Sequence, residues 1–305
     1  MKIKGIRGVK DILPGEIEKW HWVEKKAQQV FAHYGFKEIR LPIFEKTALF
    51  SRSIGETTDI VEKEMYTFTD RGGDQLTLRP EGTASVVRSY IENKMYNPPA
   101  LVKLYYLGPM FRYERPQAGR FRQFYQIGVE AMGSDNPVVD VEVITMLMEY
   151  FQELGLENLD LQINSLGCPE CRPKYREALK KDIEKYLNEL CANCNQRYQR
   201  NPLRVLDCKV ERDREIAKGL PKTIDYLCSK CETNFSKVRG LLESTQTKYT
   251  LNTQLVRGLD YYCRTTFEVV SSGLGAQNAI CGGGRYDSLV EEFDGPKTPC
   301  FGFAL

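Results

Sequence analysis

The segment from Phe111 to Phe124 sets four arginines among aromatic side chains within fourteen residues. Guanidinium groups grip phosphate oxygens in pairs and an aromatic face accepts a flat base, so this composition suits a nucleotide. The run continues as Tyr125-Gln-Ile-Gly-Val-Glu130, where strand alternation sets Gln126, Gly128 and Glu130 on one face and so lines a pocket. Upstream, Leu78-Arg-Pro-Glu-Gly-Thr83 brings a carboxylate and a hydroxyl to a strand-to-helix junction, where Glu81 and Thr83 can hold a ligand ammonium. Glu81 would equally serve to charge the start of the following helix.

Cysteines offer a second chemistry. Cys168-Pro-Glu-Cys171, Cys191-Ala-Asn-Cys194 and Cys228-Ser-Lys-Cys231 are three CxxC pairs, with Cys208 between the last two. Two such pairs can form a four-cysteine zinc site. Three pairs in helix-like sequence fit free thiols or redox chemistry as well, so a structural zinc stays one alternative among three and no metal ligand is assigned. The two histidines, His21 and His33, fall in the first predicted helix and read as structural or surface residues, which disfavours a hydrolytic triad or a histidine-ligated metal.

The elements that must position these residues follow from periodicity. Apolar residues at steps of three or four predict a helix over 17–34, stopped by Gly35, and alternation predicts a strand over 37–43 with Pro42 at its end. A hairpin over 64–79 turns at Asp70-Arg-Gly-Gly-Asp74, and a helix follows Gly82. Two long strands, 102–114 and 120–133, are joined by Arg115-Pro-Gln-Ala-Gly119 and must pair antiparallel; Asn136-Pro137 opens a helix to Leu154, and a strand covers 159–164. Seven of the ten cysteines then lie in a Lys- and Glu-rich stretch of helical periodicity, read as an inserted subdomain. Strands return at 265–270, at the glycine-rich 281–287 and at 300–305, with a helix from Ser288 between the last two. Strands in runs, with helices gathered between them, predict an α+β fold, an antiparallel sheet flanked by helices with a helical insertion.

Composition narrows the classes further. Forty-three Lys and Arg against forty-one Asp and Glu leave a net charge of +2 over 305 residues, so a nucleic-acid role must come from local patches. Ten cysteines are too few for a disulfide scaffold, and no apolar run reaches the length of a membrane span or a signal-peptide core. A cytoplasmic protein with no membrane and no DNA partner is expected.

The motif FRYERPQAGRFRQF resembles the second signature motif of class II aminoacyl-tRNA synthetases. Leu255-Val-Arg-Gly-Leu-Asp-Tyr-Tyr262 and Gly282-Gly-Gly-Arg-Tyr-Asp287 resemble segments peculiar to the histidyl-tRNA synthetase family, and Gly5-Ile-Arg-Gly-Val-Lys-Asp-Ile-Leu-Pro14 is similar to its N-terminus. The helix and strand ending at Pro42 resemble the first class motif, a dimer element, so a homodimer is implied. The resemblance implies ATP-dependent activation of L-histidine to histidyl-adenylate, with Mg²⁺ on the departing pyrophosphate, followed by transfer to tRNA(His). It assigns Arg112 to the α-phosphate, Glu114 to the adenine edge, Phe124 to stacking on adenine and Arg120 to the pyrophosphate end. Glu81, Thr83 and Gln126 would hold the histidine amino group, Glu130 and Tyr262 the two imidazole nitrogens, and Tyr261 and Tyr286 the pocket wall. Arg257 would stand beside the reacting carboxylate and the α-phosphate.

The same resemblance divides the chain into a catalytic core over 1–166 and 246–305 and an insertion over 167–245, whose basic stretch Arg172-Pro-Lys-Tyr-Arg-Glu-Ala-Leu-Lys-Lys181 would approach the tRNA acceptor arm. It reads the end at Gly302-Phe-Ala-Leu305 as falling within the third class motif, with the family's anticodon-binding domain absent. A non-enzymatic alternative shares this fold: the synthetase-like regulatory subunit of ATP phosphoribosyltransferase.

Overall fold

Apolar side chains recurring on one face make α1 (Ile17–His33) amphipathic, and it buries Ala27, Val30 and Phe31. Gly35, at φ 79°, ends it in the left-handed conformation. His21 and His33 are both exposed on this helix. The computed structural model describes residues 3–55, 58, 60–117, 119–273 and 278–305; Ala118, in the predicted loop between the long strands, lies outside them.

The strand expected over 37–43 is much shorter. Only β1 (Lys37–Glu38) joins the main sheet, and the chain crosses to a second, three-stranded sheet as β2 (Phe44–Lys46). Arg79 is the cause: its Nη1 donates to the carbonyls of Leu41 and Pro42 at 2.8 and 3.3 Å, and Pro42 has no N–H to offer a ladder. After α2 (Thr47–Ile54), β3 (Tyr66–Thr69) and β4 (Gln75–Leu78) form the expected hairpin and complete the small sheet in the order β2-β4-β3. The Asp70 carboxylate closes its turn by accepting the Asp74 N–H at 2.9 Å.

The helix after Gly82 is α3 (Thr83–Glu92). The long pair β5 (Val102–Phe111) and β6 (Gln123–Met132) is antiparallel, as the short connection required. Asn136 caps α4 (Pro137–Glu153) by accepting the Val138 N–H at 3.0 Å. With β7 (Leu159–Ser165), β8 (Thr250–Leu251), β9 (Cys263–Ser271), β10 (Ala279–Arg285) and β11 (Cys300–Ala304), the main sheet runs β1-β5-β6-β11-β10-β9-β7-β8. Its six central strands are antiparallel, and the two-residue edge strands pair in parallel. The helix expected from Ser288 is a single turn, α9 (Leu289–Glu292), because the chain turns back at Asp294, φ 63°, and Gly295 packs against Ile91 and Val290.

Although 97 residues separate β9 from the end of β7 in sequence, the two strands are neighbours; the Leu166 N–H donates to the Arg264 carbonyl at 2.7 Å and the Arg264 N–H to that of Gly167 at 2.8 Å, carrying the ladder past the end of β7. The excursion between them holds α5 (Arg172–Ile183), α6 (Ala192–Arg200) and α7 (Glu211–Lys218) around a small core of Tyr175, Leu179, Ile183, Val205 and Leu220. By contrast α8 (Ser229–Ser244), which leads back, sends Phe235, Val238 and Leu242 into the main core. That core fills the sheet face covered by α1, α4 and α8; the other face carries α3, α9 and a cluster of tyrosines. Among the described residues no helix is long and apolar enough to cross a membrane.

Arg285, at the end of β10, is fully buried. Its Nη2 stands 2.6 Å from Oδ1 of Asp140 in the first turn of α4, its Nε donates to Oδ2 at 3.1 Å, and its Nη1 reaches the Ser134 carbonyl and Asp287. Removing one member strands the other charge without water, so Asp140→Ala should lower stability in urea unfolding by about 3–5 kcal/mol. Glu16→Ala, which breaks an exposed pair with Lys10, should leave the same transition unmoved.

Candidate active site

Alternation along β6 sends Ile127, Val129 and Ala131 into the helix-covered core and Gln126, Gly128 and Glu130 to the opposite face. There β6 meets the start of α3 and the chain just after β10. Gly128 is fixed by packing: a Cβ on it would run into the Tyr106 ring, which fills that space.

Glu81 accepts the backbone N–H groups of Thr83 and Ala84 at 2.6 and 3.0 Å, so it charges the start of α3 and does so while buried. Thr83 Oγ1 donates to Glu130 Oε1 at 2.7 Å, and the Tyr286 hydroxyl donates to Glu130 Oε2. The Tyr261 ring packs against those of Tyr262 and Tyr286 with centroids 4.7 and 5.7 Å away. Glu81, Thr83, Glu130, Tyr261, Tyr262 and Tyr286 thus cluster in one buried region. The buried Tyr261 hydroxyl and Gln126 Oε1 have no hydrogen-bond partner among the described residues.

Burial pushes the Glu81 carboxyl above its ordinary value, against the pull of the two N–H groups and of Arg112. Burial likewise lifts Glu130 to about 8, opposed by the Tyr286 and Thr83 hydrogen bonds and assisted by the charge of Glu81. Two buried carboxyls with unpaired polar atoms beside them suit a small, cationic, hydrogen-bonding ligand.

Cations stand at the rim. Arg112 Nε donates to the Pro80 carbonyl at 2.9 Å, and its guanidinium lies 5.2 Å from the centroid of Phe124. Arg257 is 2.5 Å from Glu268 and lies over the Tyr262 ring at 5.4 Å. It rests on Gly282 of β10, where a Cβ would collide with the guanidinium. Glu114 and Arg120, in contrast, are joined to each other at 2.9 Å in the connection between β5 and β6, where Arg120 is exposed.

A cleft of about 720 Å³ opens between Arg257 and the insertion, lined by Arg172, Arg176, Arg204, Asp260 and Tyr262 among others. Arg172 donates to the Tyr262 carbonyl and Arg204 to that of Gly258, so the insertion grips the segment carrying Arg257. Sequence reasoning missed Tyr106 and Glu268, and read Arg172 as part of a basic stretch facing tRNA without its hold on the Tyr262 carbonyl. Glu268 left a signal, a lone carboxylate in the apolar strand 265–270, whereas a buried strand tyrosine is indistinguishable from core. The cysteines gather as Cys168, Cys171, Cys228 and Cys231, and as Cys191, Cys194 and Cys208 with Asp213, the ligand atoms of each group lying within 4.8 Å of one another.

The family profile described as Histidyl-tRNA synthetase matches residues 8–305. The histidine–tRNA ligase of Syntrophotalea carbinolica is 57% identical over 305 residues, all of this chain and 73% of the relative. The crystal structure of apo S. aureus histidyl-tRNA synthetase superposes with a TM-score of 0.80 at 43% identity, over the whole chain and 71% of that protein. An ATP phosphoribosyltransferase regulatory subunit/histidyl-tRNA synthetase from Bacillus halodurans C superposes with a TM-score of 0.74 at 21% identity, over the whole chain and 81% of that protein, and shares the fold.

The Glu130 shift has a measurable sign. An unfolded glutamate releases its proton near 4.5 and the folded one near 8, so between those values the folded protein holds the extra proton and stability falls as pH rises; above 8 the dependence ends. Glu130→Gln removes this component. Urea stability of the variant should therefore fall less steeply than that of the wild type from pH 5 to 8, and parallel curves would show that another group titrates.

Proposed function

The chain belongs to the histidyl-tRNA synthetase family, a class II aminoacyl-tRNA synthetase, and on that premise we propose how its residues divide the family's reaction. That reaction is ATP-dependent activation of L-histidine to histidyl-adenylate and transfer to tRNA(His). The observation that carries the assignment is the buried pair Glu81 and Glu130, with Arg112 and Arg257 at its rim. An amino acid is a cation at one end and an anion at the other, and the compartment has the complementary polarity.

The histidine ammonium binds between Glu81, Thr83 and Gln126. Its imidazole lies between Glu130 and Tyr262, with Tyr261 and Tyr286 as walls. Burial raises Glu130 to about 8, so it keeps its proton at neutral pH and can place it on a hydrogen bond to an imidazole nitrogen. An apolar side chain in this place would exclude water from Glu130 and Tyr262 and add no hydrogen bond to those Glu130 already accepts from Thr83 and Tyr286, which supplies the discrimination against leucine or phenylalanine.

Histidine's carboxylate oxygen bonds to the α-phosphorus while the bond to pyrophosphate breaks and its electron pair leaves with that group. Arg112 and Arg257 are fixed cations beside this centre and offset the charge that builds there. Adenine stacks on Phe124, Glu114 reads its edge and Arg120 reaches the pyrophosphate. The Arg120–Glu114 pair must open first, at a cost of about 1 kcal/mol or less for so exposed a pair.

When bound, Mg²⁺ would supply positive charge to offset that of the departing pyrophosphate. Glu268, ion-paired with Arg257 through one oxygen, is the carboxylate that would hold it. Among the described residues no cluster of three acidic or histidine ligands lies at this site, which fits an ion carried in on phosphates and water.

The tRNA 3′ end enters along the cleft lined by Arg172, Arg176 and Arg204, with the catalytic core over 1–166 and 246–305 on one side and the insertion over 167–245 on the other. The chain acts in the cytoplasm as a homodimer. Supporting the dimer, Ile43, Phe44 and Phe68 are 47, 53 and 44% exposed beside the strand that resembles the first class motif. The regulatory-subunit alternative is weaker, since the relative named for it is 21% identical and the ligase 57%.

ATP–pyrophosphate exchange across the twenty amino acids tests this reading: exchange should occur with histidine alone, and exchange driven by another amino acid, or by none, overturns it. In the same assay Glu130→Ala should raise KM for histidine by roughly 100-fold or more while KM for ATP stays within about threefold. Equal losses for both substrates would remove Glu130 from the amino-acid pocket.

A further inference from the structure

Two helices of the insertion bury few apolar side chains, with Tyr198 of α6 and Ile216 of α7 only partly covered. α6 buries only Cys194, and α7 buries only Asp213 and Ala217. Helices of nine and eight residues do not persist on propensity alone, so something other than a hydrophobic face must hold them. Between them stand the sulfurs of Cys191, Cys194 and Cys208 and the carboxylate of Asp213. Asp213 is 1% exposed, and the contacts that reach its carboxylate are the Cys191 N–H at 3.2 Å and the Cys208 thiol at 3.1 Å. A carboxylate so buried calls for a cation.

The other four cysteines sit at the neck of the insertion. Cys168 and Cys171 follow β7, and Cys228 and Cys231 begin α8, so the chain is brought together across 57 residues from Cys171 to Cys228. Cys168 Sγ lies 3.6 Å from Cys171 Sγ and 3.9 Å from Cys228 Sγ. A tetrahedron with zinc–sulfur bonds of about 2.3 Å has edges of about 3.8 Å. A disulfide would need the sulfurs at about 2.05 Å. In the body of the insertion Cys191 and Cys208 repeat the spacing at 3.9 Å. Backbone N–H groups are already aimed at sulfur: that of Cys228 donates to Cys171 Sγ at 3.0 Å and that of Cys194 to Cys191 Sγ at 3.4 Å, the arrangement that supports metal-bound thiolates.

We propose that the insertion carries two structural zinc sites, Cys168, Cys171, Cys228 and Cys231 at its neck and Cys191, Cys194, Cys208 and Asp213 in its body. Each offers four protein ligands and leaves no position for a substrate, so both are structural, independent of the activation chemistry. The neck site closes the long excursion where it leaves the sheet, and the body site replaces the apolar face that α6 and α7 lack. Thiolates select zinc over magnesium or calcium, and the carboxylate in the body site separates it from an all-thiolate iron–sulfur site.

Elemental analysis of the full chain, purified without added metal, should find two zinc ions per chain. Cys228→Ser should lose one and Cys208→Ser the other. Because either variant could misfold, the wild-type protein is also stripped, reduced and titrated with cobalt(II), which should fill two sites per chain with the intense visible bands of tetrahedral thiolate coordination. One zinc that is lost in Cys228→Ser and kept in Cys208→Ser overturns the body site and upholds the neck. Zinc well below one equivalent, with no cobalt band, overturns both, as does iron in place of zinc.

Discussion

A guanidinium cut off from water must find its hydrogen-bond acceptors in the protein, and the end of β10 is organised by that demand. Arg285 is satisfied by a carboxylate at the start of α4, by the carbonyls of Ser134 and Asn136 before that helix, and by Asp287 two residues on. Asp287 in turn accepts the Cys300 N–H at 3.2 Å, where β11 begins. One charge therefore fixes the mutual position of two strands and a helix. Tyr286, the next residue, is delivered to the opposite side of the sheet and onto Glu130. The pocket inherits its geometry from an ion pair that no substrate touches.

That geometry separates charge along the pocket. Carboxyls sit deep, where burial keeps them reluctant to ionise, and arginines sit at the rim, each tethered by one hydrogen bond or ion pair and one aromatic ring. Arg112 and Arg257 come from segments far apart in the chain, and each is oriented before any ligand arrives. On the proposed assignment, such preorganisation would leave little rearrangement for the moment when negative charge grows at the α-phosphate. Arg257 depends further on the insertion, because Arg172 and Arg204 hold the carbonyls of Tyr262 and Gly258 in the segment that follows it.

What the sequence revealed follows the range of each interaction. The first helix, the hairpin at Asp70 and the pair β5 and β6 rest on local periodicity and turn residues, and all three were legible. Period two also put Glu130 on the pocket face. Its hydrogen bonds were not legible, because Thr83 and Tyr286 arrive from 47 and 156 residues away. The strand over 37–43 failed for the same reason: Arg79 claims its carbonyls from 37 and 38 residues downstream. Among the cysteines, spacing gave the pairs and not their pairing; the first joins the third, and the second takes Cys208 and Asp213, a lone aspartate that no motif marks.

The adjacency of β7 and β9 bears on how such a protein can diversify. A segment that departs from one strand and returns to its neighbour behaves, for the sheet, as an overgrown hairpin loop, and its length is immaterial to the ladder on either side. The part that packs on itself, α5 to α7, can be lengthened, shortened or exchanged as a cassette, while α8 stays in the main core and the strands that carry Glu268 and Gly282 keep their register. Changes in this appendage therefore reach the segment that carries Arg257 through one route, the grip on the carbonyls of Gly258 and Tyr262.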